Sequence, residues 1–251
     1  MKIICVDNYE QMSKKAGNIV ASQLILKPDS VLGLATGSTP LGMYKELIEL
    51  YKQGDIDFNK VTTFNLDEYY NLSRDNNQSY YYYMNENFFN HINIDMNHVN
   101  IPDGMAKDIE KECIEYEKRI RTNGGIDLQI LGVGRNGHIG FNEPDVKFEA
   151  LTHMVKLDEQ TIKDNSRFFE LIEDVPTKAI SMGIKTIMQS KKIILLANGE
   201  EKADSIYGAI SGDITPEIPV SVLQLHPDVT FIIDKKAAMK LDLEKMKEFC
   251  L

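Results

Sequence analysis

Short runs of β-branched and aliphatic residues alternate along this chain with longer amphipathic stretches, and that alternation restricts the fold more than any other feature. The apolar runs are Lys2–Val6, Val31–Ala35, Val61–Leu66, Asp127–Gly132, Lys192–Ala197 and Val229–Ile233. The amphipathic stretches are Tyr9–Leu24, Pro40–Gln53, Ser79–His91, Lys107–Thr122, Gly199–Ile210 and Lys235–Leu241. Runs that stay apolar along their whole length suit strands buried on both faces, as in parallel sheets. The pattern predicts an α/β fold, a mostly parallel central sheet with helices on both faces. No low-complexity linker and no repeat of fixed period divides the chain, so one domain over residues 1–251 is expected. The segment from about Asp145 to Pro176 is polar and shows no clear strand, which suits a lid over a site.

Charge and cysteine content remove several functional classes. Lys plus Arg is 28 and Asp plus Glu is 38, a net charge of -10. Non-specific binding to nucleic acid or to anionic membranes needs basic surfaces, so neither is an expected partner. A local pocket field can still favour an anionic ligand. Cys5, Cys113 and Cys250 are too scattered for a disulfide framework and form no Cys-x-x-Cys pair. They read as reduced thiols of a cytoplasmic protein. No apolar stretch has the length of a membrane span or of a signal-peptide core.

Three motifs carry candidate chemistry. In Gly33-Leu34-Ala35-Thr36-Gly37-Ser38-Thr39-Pro40 a buried strand ends, a glycine-hydroxyl loop turns and a helix begins near a proline. Ser38 or Thr39 could cap that helix. Free N–H groups of the loop and the positive end of the helix dipole would then offer a phosphate site. The Gly-Lys-Ser/Thr ending of a Walker A loop is absent. In Thr63-Phe64-Asn65-Leu66-Asp67-Glu68-Tyr69 two carboxylates follow an apolar strand, at the strand end where open α/β sheets bind ligands. Either could be a general base or a metal ligand or, more blandly, a helix-capping Asp and a solvated Glu.

The third motif, Gly132-Val133-Gly134-Arg135-Asn136-Gly137-His138-Ile139-Gly140-Phe141-Asn142-Glu143-Pro144, contains a literal G-x-G-x-x-G. A dinucleotide site needs that fingerprint to open directly into a helix, and Gly140, Asn142 and Pro144 would break any helix there. The glycines instead allow close approach of backbone to a small ligand. His138 and Glu143 are near enough in the chain for a fold-back to pair imidazole with carboxylate, which makes a proton shuttle. A three-histidine or His-x-x-x-His set is missing, so neither a metal nor another cofactor is expected. His91, His98, His153 and His226 read as structural or surface residues. Arg167 and Lys202 are candidate cations; Lys202 lies near a helix start, where a lysine opposes the dipole unless an anion shares the site.

These pieces together resemble the glucosamine-6-phosphate deaminase family. The resemblance runs over essentially the whole chain and is most specific in Gly137-His138-Ile139-Gly140-Phe141-Asn142-Glu143-Pro144; Ser79-Tyr80, Asn165–Phe169 and Leu223-Gln224-Leu225-His226-Pro227 also match. It implies a three-layer modified Rossmann-like fold and conversion of D-glucosamine 6-phosphate and water into D-fructose 6-phosphate and ammonium. It assigns Asp67 as proton acceptor at sugar C2, His138 to ring opening, and Glu143 and Asn136 to orienting His138. It assigns Gly37, Ser38, Thr39, Arg167 and Lys202 to the phosphate. A small-molecule sugar phosphate is the expected partner, bound by a monomer or small homo-oligomer. Some family members carry Asp where this chain has Asn136; Asn can still hold an imidazole but brings no charge. Tyr70-Asn71-Leu72 stands where a Val-Gly-Leu type sequence is common. The chain ends at Leu251, and Asp145–Lys156 lacks a clear Ser…Arg-x-Lys pattern, so no activation by N-acetylglucosamine 6-phosphate is expected. A sigmoidal rate curve made hyperbolic by that compound would overturn this. Two other readings compete: a 6-phosphogluconolactonase, which typically lacks the Phe-Asn-Glu-Pro run, and a sugar-phosphate-sensing module, which needs a DNA-binding segment and no base-like set.

Overall fold

The structure, a computed structural model, describes residues 1–242. The Cys250 thiol lies outside the described residues. The strands in chain order are β1 (Lys2–Val6), β2 (Val31–Leu34), β3 (Thr62–Asn65), β4 (Asp67–Tyr69), β5 (Val99–Asn100), β6 (Leu128–Leu131), β7 (His153–Lys156), β8 (Lys178–Ser181), β9 (Lys192–Ala197) and β10 (Val229–Asp234). The helices are α1 (Tyr9–Leu26), α2 (Leu41–Gln53), α3 (Tyr80–Asn87), α4 (Ile109–Thr122), α5 (Glu159–Asn165), α6 (Ile184–Met188) and α7 (Ala203–Ser211).

Seven strands form one sheet in the order β1-β10-β9-β6-β2-β3-β5, and every pairing in it is parallel. Its strands are buried because helices surround them: Ile193, Ile194, Leu195, Leu196 and Ala197 of β9 are all buried, with no polar alternation. The apolar runs of the sequence are thus the central strands. α1 is started by Asn8, whose side chain accepts from the Gln11 N–H, and buries Met12, Ala16, Val20 and Leu24 on one stripe. α4 carries Glu110 and Glu112 in its first turn and Arg119 and Arg121 in its last, matching the helix dipole. Its Tyr116 packs edge-on against Phe64 of β3, with ring centroids 5.7 Å apart.

A second sheet, β4-β8-β7, is antiparallel and small. The chain leaves the large sheet at Asn65 and enters the small one at Asp67. Between them the Leu66 N–H donates to the Leu34 carbonyl and its own carbonyl accepts from Met182, so Leu66 ties the two sheets together. Buried Glu117 of α4 anchors the far side, accepting from the Thr152 N–H and from the Thr152 and Thr186 hydroxyls.

Two expectations need correction. The segment 145–176 does contain a strand, β7, and a helix, α5. β7 is four residues with alternate half-burial, too short for a periodic signal. The stretch Lys235–Leu241 forms turns rather than a helix. Asp234 accepts there from the Ala237 N–H and also from the Gly199 N–H, so its carboxylate serves a loop junction. Asn71, where the family resemblance has glycine, takes the left-handed conformation at φ 62°. Asn is one of the few side chains that tolerates this.

Candidate active site

Strand order places the site. From β2 the chain builds outward through β3 and β5 on one side, and from β6 through β9 and β10 on the other. The two directions part between β2 and β6, and loops leaving such neighbours diverge and open a crevice at their carboxyl ends. A cavity of about 610 Å³ occupies that place. It is lined by Thr36–Thr39 after β2, Leu66 and Asp67 after β3, Gly132–Arg135 and His138 after β6, and Asn198, Glu201 and Lys202 after β9. Tyr80 of α3 and residues of α5 and its continuation, among them Thr161, Asp164, Asn165 and Arg167, complete the wall.

The loop after β2 is held by its carbonyls. The Tyr83 hydroxyl donates to the Gly37 carbonyl at 2.6 Å, and the Tyr9 hydroxyl donates to the Ser38 carbonyl at 2.9 Å. Tyr9 then accepts from the Gly42 N–H. Fixing the carbonyls outward leaves N–H groups for an anion. Gly37 has φ 99°, a conformation in which a side chain would be strained. Neither Ser38 nor Thr39 caps α2: the cap position is Pro40, without a side-chain bond. Both hydroxyls therefore keep their hydrogen-bonding capacity at the cavity wall.

Asp67 sits at the joint between the sheets and is 6% exposed. No hydrogen-bond donor reaches its carboxylate among the described residues. Burial pushes its pKa up to about 8, with the neighbouring Glu68 charge adding to the rise. Glu68 points the other way, accepting from the N–H groups of Tyr69, Tyr80 and Tyr81. It holds the first turn of α3 against β4, and burial raises it to about 7 despite those bonds. Of the two adjacent carboxylates, one is fully used in structure and the other is unpartnered beside the cavity.

The stretch after β6 folds back so that His138 Nδ1 stands 3.1 Å from Glu143 Oε2. The Thr161 hydroxyl of α5 is 3.4 Å from the same nitrogen. Nε2 is thereby the ring nitrogen left to a ligand. Burial would raise Glu143, but hydrogen bonds from His138, Thr161 and Asn136 outweigh it and hold the carboxyl below its ordinary value. Asn136 does not hold the imidazole, a correction to expectation: its Nδ2 donates to Glu143 Oε2 at 2.9 Å, and its Oδ1 accepts from the His138 backbone N–H at 3.2 Å. The ring lies flat against Gly134, where any Cβ would come within 2.4 Å of it.

Lys202 lies just before α7 in a largely desolvated position. Burial lowers its pKa, with Arg135 and Arg167 lowering it further and Glu201 and Asp164 opposing them. The candidate cations Arg167 and Lys202 thus lie near one another and line the same cavity as the Gly37–Thr39 loop. Several residues at the site are given no role by the sequence. Tyr80, at the start of a four-tyrosine run, lines the cavity, and Tyr83, at its end, holds the Gly37 carbonyl. Asn165 donates to the Tyr69 hydroxyl at 2.9 Å. Arg135 is hidden inside a glycine-rich string.

A family model described as glucosamine-6-phosphate isomerases/6-phosphogluconolactonase matches residues 9–232. A glucosamine-6-phosphate deaminase of Clostridium botulinum (strain Loch Maree / Type A3) is 67% identical over 244 residues, 97% of this chain and 100% of that protein. A solved structure of a monomeric glucosamine-6-phosphate deaminase superposes with a TM-score of 0.93 at 48% identity, covering 95% of this chain and 99% of its own. A 6-phosphogluconolactonase from Trypanosoma cruzi superposes with a TM-score of 0.76 at 21% identity, covering 96% of this chain and 97% of its own. That last likeness is one of fold alone.

Proposed function

The chain belongs to the glucosamine-6-phosphate isomerase and 6-phosphogluconolactonase family, and we propose from its site that it works as a deaminase: D-glucosamine 6-phosphate and water give D-fructose 6-phosphate and ammonium. The observation that carries this choice is the unpartnered, buried Asp67 facing the same cavity as the His138–Glu143 pair. A lactone hydrolysis needs no base for a carbon acid. An aldose–ketose isomerisation does.

In this reading the phosphate binds at Gly37, Ser38, Thr39, Arg167 and Lys202, which fixes the sugar and turns a bimolecular proton transfer into a positioned one. His138, through Nε2, moves the proton between the anomeric hydroxyl and the ring oxygen, opening the pyranose to the aldehyde. Glu143 stabilises the imidazolium that forms, and Asn136 holds Glu143. Asp67 then takes the C2 proton while the substrate's ammonium group passes one to O1, giving an enolamine, and returns its own proton to C1, leaving a C2 iminium. Water adds to the iminium carbon, and ammonia departs as the ketone forms. Every atom is accounted for by substrate and water, and no step calls on a metal or a nicotinamide. The enzyme is read as cytoplasmic, in amino-sugar breakdown; among the described residues no helix is long and apolar enough to cross a membrane.

The direct test is incubation with glucosamine 6-phosphate and assay for fructose 6-phosphate and ammonium; folded protein that produces neither sinks the reading. The pH profile is a second test. A base must be ionised, and Asp67 is raised to about 8. The ascending limb of kcat/KM should therefore lie between about pH 7 and 8, not near the ordinary carboxylate range. A plateau extending down to pH 5 would contradict it. Glu143→Gln keeps the shape of the carboxylate but not its charge, so kcat should fall about tenfold with KM little altered. An unchanged kcat would remove Glu143 from ring opening.

A further inference from the structure

Arg135 is not among the groups assigned so far to the substrate, yet its placement is tightly built. The Ser205 hydroxyl of α7 lies 2.8 Å from the Gly134 carbonyl and 2.7 Å from the Arg135 carbonyl. Lys202 precedes Ser205 by less than one turn, so the same short segment fixes the backbone of Arg135 and the position of Lys202. Arg135 lines the cavity, and its guanidinium faces Asp164 of α5, with Nε 3.6 Å from Oδ2. That is an ion pair but too long for a hydrogen bond. Asp164 is bonded instead by Gln160, whose Nε2 donates to Oδ1 at 2.8 Å. Among the described residues the guanidinium makes no hydrogen bond, so its planar fork of donors is unspent.

We propose that Arg135 is a third cation for the substrate phosphate and that Asp164 is the anion it faces until the phosphate arrives. The proposal deepens the proposed function and rests on its phosphate site. Arg135, Arg167 and Lys202 bring three positive charges near one another in the cavity, and Asp164 and Glu201 offset part of that field. A half-exposed pair without a hydrogen bond contributes little. A phosphate dianion accepts the guanidinium's fork through two oxygens, a shorter and stronger contact. Binding therefore exchanges a loose carboxylate partner for a bidentate one, and Asp164 sets the affinity by competing for Arg135.

The test is calorimetric titration of the full chain with inorganic phosphate, alongside KM for glucosamine 6-phosphate. Arg135→Gln should raise both the phosphate Kd and KM about tenfold, and Arg135→Lys should recover only part, since an ammonium cannot fork. Asp164→Asn should tighten phosphate a few-fold in the wild-type background and give a clearly smaller gain when combined with Arg135→Gln, where only Lys202 and Arg167 remain to benefit. A phosphate Kd within twofold of wild type in Arg135→Gln, or no phosphate binding by the wild type, overturns the proposal. An equal gain from Asp164→Asn in both backgrounds overturns the exchange. Because the titration needs no turnover, phosphate binding through Arg135 by a protein that leaves glucosamine 6-phosphate unchanged would sink the proposed function while sparing this inference.

Discussion

Replacing Asp67 with Asn is expected to lower deamination by roughly 10³-fold to 10⁴-fold, the upper part of the range for a positioned general base. Solvent exchange of the C2 proton should be lost with it, while inorganic phosphate should still bind, because the proposed phosphate site does not include Asp67. Exchange at the wild-type rate in Asp67→Asn would assign the base elsewhere. The same substitution should stabilise the protein. The folded pKa of about 8 lies above the ordinary value of 3.8. Between these values the native state holds a proton that the unfolded state has lost, so wild-type stability falls as pH rises through that window. Asn cannot ionise and escapes the loss. Its melting temperature should exceed that of wild type by at least about 3 °C at pH 8, with a smaller gap at pH 5. A gap that widens toward acid would mean that Asp67 is stabilised by ionisation in the fold.

Gly134→Ala should cost roughly 10²-fold to 10³-fold, although it adds one methyl group to a residue that touches no substrate in the proposed mechanism. Its Cβ would fall 2.4 Å from His138 Cε1 and Nδ1 and 2.6 Å from Nε2. Gly134 has no positive φ, so the backbone accepts alanine and the conflict is with the ring alone. The imidazole must tilt away, and Nδ1 then loses its 3.1 Å contact with Glu143. Misplacement of a proton-transfer group by about 1 Å can cost about 10²-fold. The loss should appear in kcat for the closed sugar and be much smaller for an open-chain analogue, which needs no ring opening. Equal losses on both would show that the substitution damages more than His138.

The large sheet was legible because burial on both faces leaves a continuous apolar run, as in Ile193–Leu196, that no surface strand imitates. The small sheet was not. Asp67–Tyr69 reads as two charges and a tyrosine, and it becomes a strand only because β8 arrives much later in the chain to pair with it. The Gly-rich histidine loop announced itself by composition. What it could not show was direction: Asn136 was expected at the imidazole, and instead it holds the carboxylate behind the imidazole. Glu68 and Asp67 are indistinguishable as letters. Strand alternation sends their side chains to opposite faces, one onto the N–H groups of α3 and the other beside the cavity. Arg135 was missed because an arginine among glycines looks like a solvated charge until α7 is seen to hold its backbone.

The parallel pairing of β1 with β10, register Lys2 with Thr230, also bears on the order in which the molecule can assemble. Contacts between such distant residues are slow to form, because a long loop must be closed before they repay its entropy. On the ribosome, Ile3 and Ile4 emerge long before β10, the strand they pair with, is made. Meanwhile α1 can pack on α2, its neighbour in sequence and in space. The nascent chain therefore carries an unseated apolar strand until β10 is made, and β1 is the natural place for chaperone binding and for a late step of folding.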